Sequence, residues 1–224
     1  MRAVPSIADP RAFIVANTQL KPVPHVPEIK LHVADEPVPL WEKTEDELRE
    51  LGLPPPYWAF AWAGGQALAR YVLERPELVK AKRVLDLASG SGLVGIAAAK
   101  AGAVPVIAAE IDPFAQAAIA LNMEANGVYL DVVTHDLLRH PAPLAARYDA
   151  ILVGDFFYED APAARTFAFL RRHAAVGTRV LVGDPGRAYL PRERLEWLCE
   201  YKIPVTRALE DQDIKHTSVW SLGA

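Results

Sequence analysis

Residues 86 to 95, DLASGSGLVG, combine a carboxylate with a glycine-rich turn. Gly90, Gly92 and Gly95 fit the G-x-G-x-x-G spacing, in which the first two glycines let the backbone approach a nucleotide ligand and the third lets the next helix pack close to the strand. Asp86 lies near the end of the apolar run before the turn. Because several nucleotide cofactors fit the same glycine spacing, the carboxylate is the more informative residue.

A carboxylate at the position of Asp86 distinguishes between cofactors by charge. Against a pyrophosphate it is a like charge in a partly desolvated site, which costs several kcal/mol at an effective dielectric constant of about 20. S-adenosylmethionine carries a sulfonium and an ammonium, so the same carboxylate attracts it. Asp86 therefore favours S-adenosylmethionine, with a nicotinamide dinucleotide as the alternative.

Acidic residues also follow the next two predicted strands. Glu110 ends VPVIAAE, about twenty residues beyond the glycines, where a carboxylate accepts from the ribose hydroxyls of either cofactor. Asp136 in THDLL is placed to accept from an adenine amino group, although a turn or helix-cap role explains an aspartate there equally well. We assign Ile111, next to Glu110, and Gly154, at the end of the fourth strand, to the same cofactor site.

The fourth predicted strand ends in GDFFYED, where a sheet of this kind presents the acceptor to the cofactor. The segment lacks the proline pair that adenine methyltransferases commonly have there. Aromatic walls would desolvate an amine such as lysine, which is protonated at pH 7. We assign Asp155 to recruit and orient a cationic acceptor and Tyr158 to line its path, and we expect no dedicated general base. Phe156 and Phe157 fit this wall or the core equally well.

An alternating pattern of elements from residue 56 onward is needed to position these residues. The predicted strands are RVLDLA, VPVIAAEI, VYLDVVTHD, YDAILVGD, TRVLVGDP, IPVTRALE and KHTSVWSL. The predicted helices are GGQALARYVLER, GLVGIAAAKAG, DPFAQAAIALNMEANG, APAARTFAFLRRHA and RERLEWLCEY. This alternation predicts an α/β fold: a doubly wound, Rossmann-like seven-stranded sheet, mostly parallel, with an antiparallel C-terminal strand after a short DQDI turn.

The segment before residue 56 has a different composition. It is rich in proline and contains a β-like piece, EIKLHVA, and a polar helix, KTEDELRELG, that ends at Gly52. We predict two parts: an N-terminal extension over residues 1–55 that lies over the core without joining it, and a cofactor-binding domain over residues 56–224.

Composition argues against several other classes of protein. The net charge is −4 and the 24 basic residues are scattered, so we expect no nucleic-acid partner. No run of about 18 apolar residues occurs, and the N-terminus lacks the apolar segment of a signal peptide. The single cysteine rules out an internal disulfide, and the six histidines lack metal-ligand spacing. We expect a cytoplasmic protein with no metal and no membrane partner.

The motifs together resemble a known family. From residue 57 to the C-terminus the chain resembles the electron transfer flavoprotein beta-subunit lysine methyltransferases, which are seven-β-strand enzymes. The resemblance is carried by PYWAFAWAGGQALARYVL, RVLDLASGSG, EIDPFA, ILVGDFFYED and LVGDPGR, in that order. It implies S-adenosylmethionine contacts from Asp86, Gly90 and Glu110, with Trp58 and Trp62 bordering the cofactor and a substrate-facing role for GDFFY.

The resemblance implies a protein lysine N-methyltransferase with the electron transfer flavoprotein beta subunit as leading substrate. A small-molecule N-methyltransferase remains an alternative, since an apolar acceptor pocket would admit either substrate, and another protein substrate, such as a ribosomal protein, stays open. A catalytically silent cofactor-binding protein and a nicotinamide oxidoreductase are further alternatives. Arg187 in GDPGR either contacts an acidic substrate surface or pairs with Asp184.

Overall fold

A computed structural model of the protein describes residues 9–34, 55–139, 148–205 and 213–223. The strands are β1 (Gln19–Val23), β2 (Val26–Val33), β3 (Val84–Leu87), β4 (Val106–Ala109), β5 (Asp131–Val133), β6 (Ala150–Gly154), β7 (Arg179–Asp184), β8 (Glu196–Pro204) and β9 (Ile214–Leu222). The helices are α1 (Pro10–Asn17), α2 (Ala63–Glu74), α3 (Leu93–Lys100), α4 (Pro113–Asn126) and α5 (Asp160–Ala174).

Seven strands form one sheet in the order β5-β4-β3-β6-β7-β9-β8. The strands from β5 to β7 pair in parallel, and β9 pairs antiparallel with both β7 and β8. This confirms the predicted Rossmann-like sheet. Because β3 lies between β4 and β6, the strand order reverses at β3, and the carboxyl ends of these strands open into the crevice where such sheets bind ligands.

The predicted helix RERLEWLCEY is wrong, because residues 196–204 form the edge strand β8. A bulge between Trp197 and Cys199 shifts the register against β9, so the strand does not show a strict two-residue alternation in the sequence. Pairing with nearly the whole length of β9 outweighs the local helical pattern. Of the predicted strand IPVTRALE, only the first two residues lie in β8, and residues 206–212 are outside the described part of the chain.

The N-terminal hairpin, in which β1 and β2 pair antiparallel, is part of the core, contrary to our prediction. The buried core cluster on the α2 and α3 side of the sheet includes Val23, Val26, Ile29 and Leu31. EIKLHVA forms most of β2, in which alternate residues point inward. The predicted helix KTEDELRELG lies outside the described residues. No helix in the described ranges has both the length and the apolarity to span a bilayer.

Two asparagines of α4 attach the hairpin to the rest of the fold. Asn122 is buried, and its Oδ1 accepts from the backbone N–H of His32 at 2.8 Å. Asn126 accepts from the backbone N–H of Lys30 at 3.0 Å and donates to its carbonyl at 2.6 Å. Side chains thus satisfy backbone groups on the outer side of β2, which would otherwise be an open strand edge.

Candidate active site

A pocket of about 630 Å³ opens at the carboxyl ends of β3, β4 and β6. The structure brings ten of the eleven predicted site residues to this pocket: Trp58, Trp62, Asp86, Gly90, Glu110, Ile111, Asp136, Gly154, Asp155 and Tyr158. Gly92 is not among the lining residues. It precedes α3 with a φ of 84°, a left-handed conformation that favours glycine, so it shapes the turn, and its contact with the cofactor stays a prediction.

Asp86 lies at the base of the pocket and is 2% exposed. Its Oδ2 accepts from the Ser89 hydroxyl at 2.5 Å and from the backbone N–H of Gly95 at 2.8 Å. A Cβ at position 95 would lie 3.0 Å from the same oxygen and 2.5 Å from Cδ2 of Leu130, which explains the third glycine of the motif. Burial raises the pKa of Asp86 to about 7, because the charged form is desolvated.

Ala88 occupies a strained position in the turn. Its φ is 54°, in the left-handed region that side-chain-bearing residues seldom adopt. Ala88 thus adopts a backbone conformation that glycine would adopt more easily, in the turn that brings Gly90 to the pocket.

Glu110 joins the glycine turn to the loop after β4. Its Oε2 accepts from the backbone N–H of Gly90 at 2.8 Å, and its Oε1 accepts from those of Ile111 and Asp112 at 2.8 and 3.0 Å. A carboxylate has about four lone-pair sites and three are occupied here, so Glu110 can still accept from one ribose hydroxyl. Burial is the main cause that raises the pKa of Asp112, which also lines the pocket, to about 6.

Asp136 serves a turn in the structure while also lining the pocket. Its Oδ1 accepts from the backbone N–H groups of Leu138 and Arg139 at 2.8 and 3.2 Å, and its Oδ2 lies 3.3 Å from Nε of Arg139. The turn role that we weighed is therefore present. Contact with an adenine amino group stays a prediction.

Aromatic side chains that contact one another also line the pocket. The ring of Tyr57 lies 5.4 Å from that of Tyr158 and 6.1 Å from that of Trp62, and Phe156 lies 6.2 Å from Tyr158. Phe156 lines the pocket, whereas Phe157 is core and 1% exposed. Sequence reasoning did not identify Tyr57 and Phe60 as lining residues, although the aromatic density of PYWAFAW was a visible signal.

Glycines place the start of α2 against the ends of β6 and β7. A Cβ on Gly64 would overlap the carbonyl oxygen of Gly183, and one on Gly154 would lie 2.9 Å from Cα of Gly65. This close approach lets the backbone N–H of Gly64 donate to Oδ2 of Asp155 at 2.9 Å. The GG of WAGG therefore fixes the carboxylate of GDFFY.

Asp155 is paired with Arg187 and is 8% exposed. Its Oδ1 accepts from Nε of Arg187 at 2.5 Å. The sequence left two alternatives for Arg187, an acidic substrate surface or a pair with Asp184. Arg187 does contact Asp184, but through its backbone: Oδ1 of Asp184 accepts from the N–H of Arg187 at 2.7 Å. The guanidinium itself contacts the carboxylate that we assigned to the acceptor.

The pocket has the charge pattern of a site for a cationic cofactor. The carboxylates of Asp86, Glu110 and Asp112 line it, and no basic side chain of the described residues pairs with any of the three. These carboxylates can bind a sulfonium and an ammonium, and Glu110 can also accept from a ribose hydroxyl. The aromatic rings can contact a purine or the aliphatic part of an amine. No group of three or more metal-ligating side chains occurs among the described residues.

Comparisons with known proteins agree with this geometry. The family described as "Ribosomal protein L11 methyltransferase (PrmA)" matches residues 66–153. A T. thermophilus 16S rRNA methyltransferase, solved with S-adenosylmethionine and guanosine, superposes with a TM-score of 0.54 at 20% identity, over 74% of this chain and 44% of that one. A Synechocystis magnesium protoporphyrin IX methyltransferase with bound S-adenosylmethionine gives a TM-score of 0.50 at 16% identity, over 71% and 78%. Fold and site define an S-adenosylmethionine-dependent methyltransferase of the Rossmann-like class.

Sequence relatives identify the family within that class. The electron transfer flavoprotein beta subunit lysine methyltransferase of Mus musculus is 37% identical over 98% of this chain and 87% of its own length. The Homo sapiens protein of that name is 33% identical over 98% and 85%. The chain belongs to the electron transfer flavoprotein beta subunit lysine methyltransferase family. Because these matches cover nearly the whole chain, the likeness extends N-terminal of residue 57, where the motifs in the sequence had placed its start.

Proposed function

We propose that this enzyme transfers methyl groups from S-adenosylmethionine to lysine side chains of an electron transfer flavoprotein beta subunit. The observation that carries the proposal is the likeness over nearly the full chain to the mouse and human proteins named for this activity. The acceptor end of the pocket supports it, because aromatic rings line the approach to Asp155 and suit the aliphatic stem of a lysine.

The residues of the pocket divide the work of binding and positioning. S-adenosylmethionine, when bound, supplies an electrophilic methyl group on a sulfonium. Asp86 attracts the cationic part of the cofactor, Glu110 holds the ribose, and the turn at Gly90 brings the backbone close to both. Trp58 and Trp62 border the bound cofactor and exclude water from it.

At the acceptor end, Tyr158 and Asp155 orient the lysine nitrogen. Burial raises the pKa of the Tyr158 hydroxyl, so it stays protonated at neutral pH and does not act as a base. The lysine proton passes to solvent, and in-line positioning of the nitrogen supplies most of the rate. Asp155 retains the assigned role of orienting the acceptor. Its carboxylate contacts Arg187 as well as the lysine.

Labelled cofactor separates a protein substrate from a small molecule. The purified enzyme is incubated with S-adenosylmethionine carrying a labelled methyl group and with cell extract, and the products are divided by size. We expect label in a protein of the size of the flavoprotein beta subunit. Label confined to the small-molecule fraction would contradict the proposal and favour a small-molecule N-methyltransferase. The cytoplasmic location stays a separate prediction, which cell fractionation tests.

A further inference from the structure

The ion pair between Asp155 and Arg187 has a consequence for the substrate lysine. Nε of Arg187 lies 2.5 Å from Oδ1 of Asp155, and the side chains are 22% and 4% exposed. Both residues line the pocket beside Tyr158. A pair this buried is only weakly screened by solvent, so its charges act strongly on any cation that enters the acceptor end.

Both partners are held in place independently of each other. The backbone N–H groups of Gly186 and Arg187 donate to Oδ1 of Asp184 at 2.6 and 2.7 Å, and the Arg187 guanidinium lies 5.8 Å from the centre of the Trp62 ring. The Asp155 backbone N–H donates to the Gly183 carbonyl at 2.9 Å. The arrangement is therefore built into the ends of β6 and β7 before any substrate binds.

An isolated carboxylate at this point would oppose the reaction. It would stabilise the lysine ammonium, whereas attack on a methyl group requires the neutral amine. We propose that Arg187 is a positioning residue that keeps Asp155 from holding the substrate ammonium as a tight ion pair, and so favours the reactive neutral amine. This inference rests on the proposed function.

The chemical step then balances without a protein base. The nitrogen loses its proton to solvent, and its lone pair forms a bond to the methyl carbon. The carbon–sulfur bond breaks, its electrons stay on sulfur, and the sulfonium becomes a neutral thioether. Asp155 and Arg187 together orient the nitrogen without supplying the net negative charge that would retain its proton.

Other charged or titratable groups surround this end of the pocket without replacing Arg187. They are Tyr57 and Tyr158 on the aromatic wall, Glu110 after β4, Glu159 and Arg165 at the start of α5, and Asp184 at the end of β7. The acidic members of this set add negative charge, and Arg165 is exposed. Removing the Arg187 charge therefore removes the cation whose Nε contacts the Asp155 carboxylate.

The pH dependence of kcat tests the proposal, because kcat reports the ionisation of the bound lysine. Arg187→Gln should move the rising limb of the kcat profile to higher pH by about one to three units, the usual effect of an opposite charge within about 4 to 6 Å. Its KM at neutral pH should fall, since the ammonium now binds Asp155. Arg187→Lys keeps the charge and should retain the wild-type profile.

A double variant separates this effect from a merely structural one. Asp155→Asn in the Arg187→Gln background removes the carboxylate and should return the profile toward that of the wild type. A profile of Arg187→Gln that coincides with the wild type, or a shift that persists in the double variant, overturns the inference. If Arg187→Gln does not fold, Asp155→Asn alone carries the test. The rising limb of its kcat profile should lie at the same pH as that of the wild type or at a lower pH. A shift of this limb to higher pH overturns the inference.

A measurement on the substrate-free enzyme does not depend on activity. The Nε–H proton of Arg187, identified in the NMR spectrum by its absence in Arg187→Lys, should exchange with water more slowly than those of exposed arginines and should speed up in Asp155→Asn. Fast exchange in the wild type overturns the inference. If the wild type leaves the flavoprotein subunit unmethylated, the proposed function fails separately, whatever this proton shows.

Discussion

The affinity for S-adenosylmethionine should depend steeply on pH through Asp86. With a pKa of about 7 in the cofactor-free protein, the ionised fraction of Asp86 falls from about three quarters at pH 7.5 to about 3% at pH 5.5. The bound sulfonium and ammonium favour the ionised form, so binding below pH 7 must first release the proton. The titration of Asp86 alone should therefore lower the affinity about 25-fold over this interval, or about 1.9 kcal/mol.

Calorimetry at pH 5.5, 6.5 and 7.5 measures this drop. Asp86→Asn cannot titrate at this position and should bind weakly, with at most the roughly fourfold drop that Asp112, with a pKa of about 6, contributes between pH 7.5 and 5.5. Asp184→Asn is a matched control. Burial also raises the pKa of Asp184, to about 6, but Asp184 does not line the pocket. This variant should therefore retain the pH dependence of the wild type. A wild-type affinity that is constant from pH 7.5 to 5.5, or a steep dependence that persists in Asp86→Asn, would refute the electrostatic role of Asp86.

Variants elsewhere test separate contacts. Glu110→Ala removes the ribose acceptor and should weaken cofactor binding more than tenfold by calorimetry; unchanged affinity would refute that role. Tyr158→Ala should lose most turnover with cofactor affinity intact, while Tyr158→Phe keeps the aromatic wall and most of the rate; loss of cofactor affinity in both would place Tyr158 at the cofactor. Ile29→Ala empties a core position and should lower the free energy of unfolding by about 2–5 kcal/mol in denaturant titration, against about 0.5 kcal/mol for Val15→Ala, which is 55% exposed. Equal losses would contradict a core role for the hairpin.

The cofactor end of the site was largely predictable from the sequence. Parallel strands end at the same edge of a sheet, so Asp86, Glu110 and Asp136 had to converge once the alternation of elements was recognised. Local spacing carries this information, because each carboxylate lies within a few residues of its strand end. Gly92 differs from these residues, because it fits the motif spacing but does not line the pocket, and its φ of 84° shapes the turn.

The acceptor end depends on contacts between distant parts of the chain. Nothing local to Asp155 indicates that Arg187, 32 residues later, would pair with it, because the contact requires β6 and β7 to be neighbours with a shared end. The ring contact between Tyr57 and Tyr158 spans a still longer separation. The assignment of Asp155 as a carboxylate available to the substrate was therefore incomplete without the fold.

The errors in the fold have local causes. In β8 a bulge interrupts the alternation, and only pairing with β9 shows that the segment is a strand. In the N-terminal segment the β-like piece with Ile29 and Leu31 was recognised, but the surrounding prolines suggested a segment outside the core that these residues in fact join. Side chains of α4 satisfy the backbone of β2, and that compensation cannot be read from the hairpin sequence alone.

Intact-mass spectrometry of a purified electron transfer flavoprotein beta subunit tests the central claim most directly. The subunit is incubated with this enzyme and S-adenosylmethionine, with enzyme alone, and with cofactor alone, and peptide mapping locates any added mass. We predict increments of whole methyl groups on lysine in the complete reaction only. An unchanged mass, or methyl groups on residues other than lysine, would contradict the account.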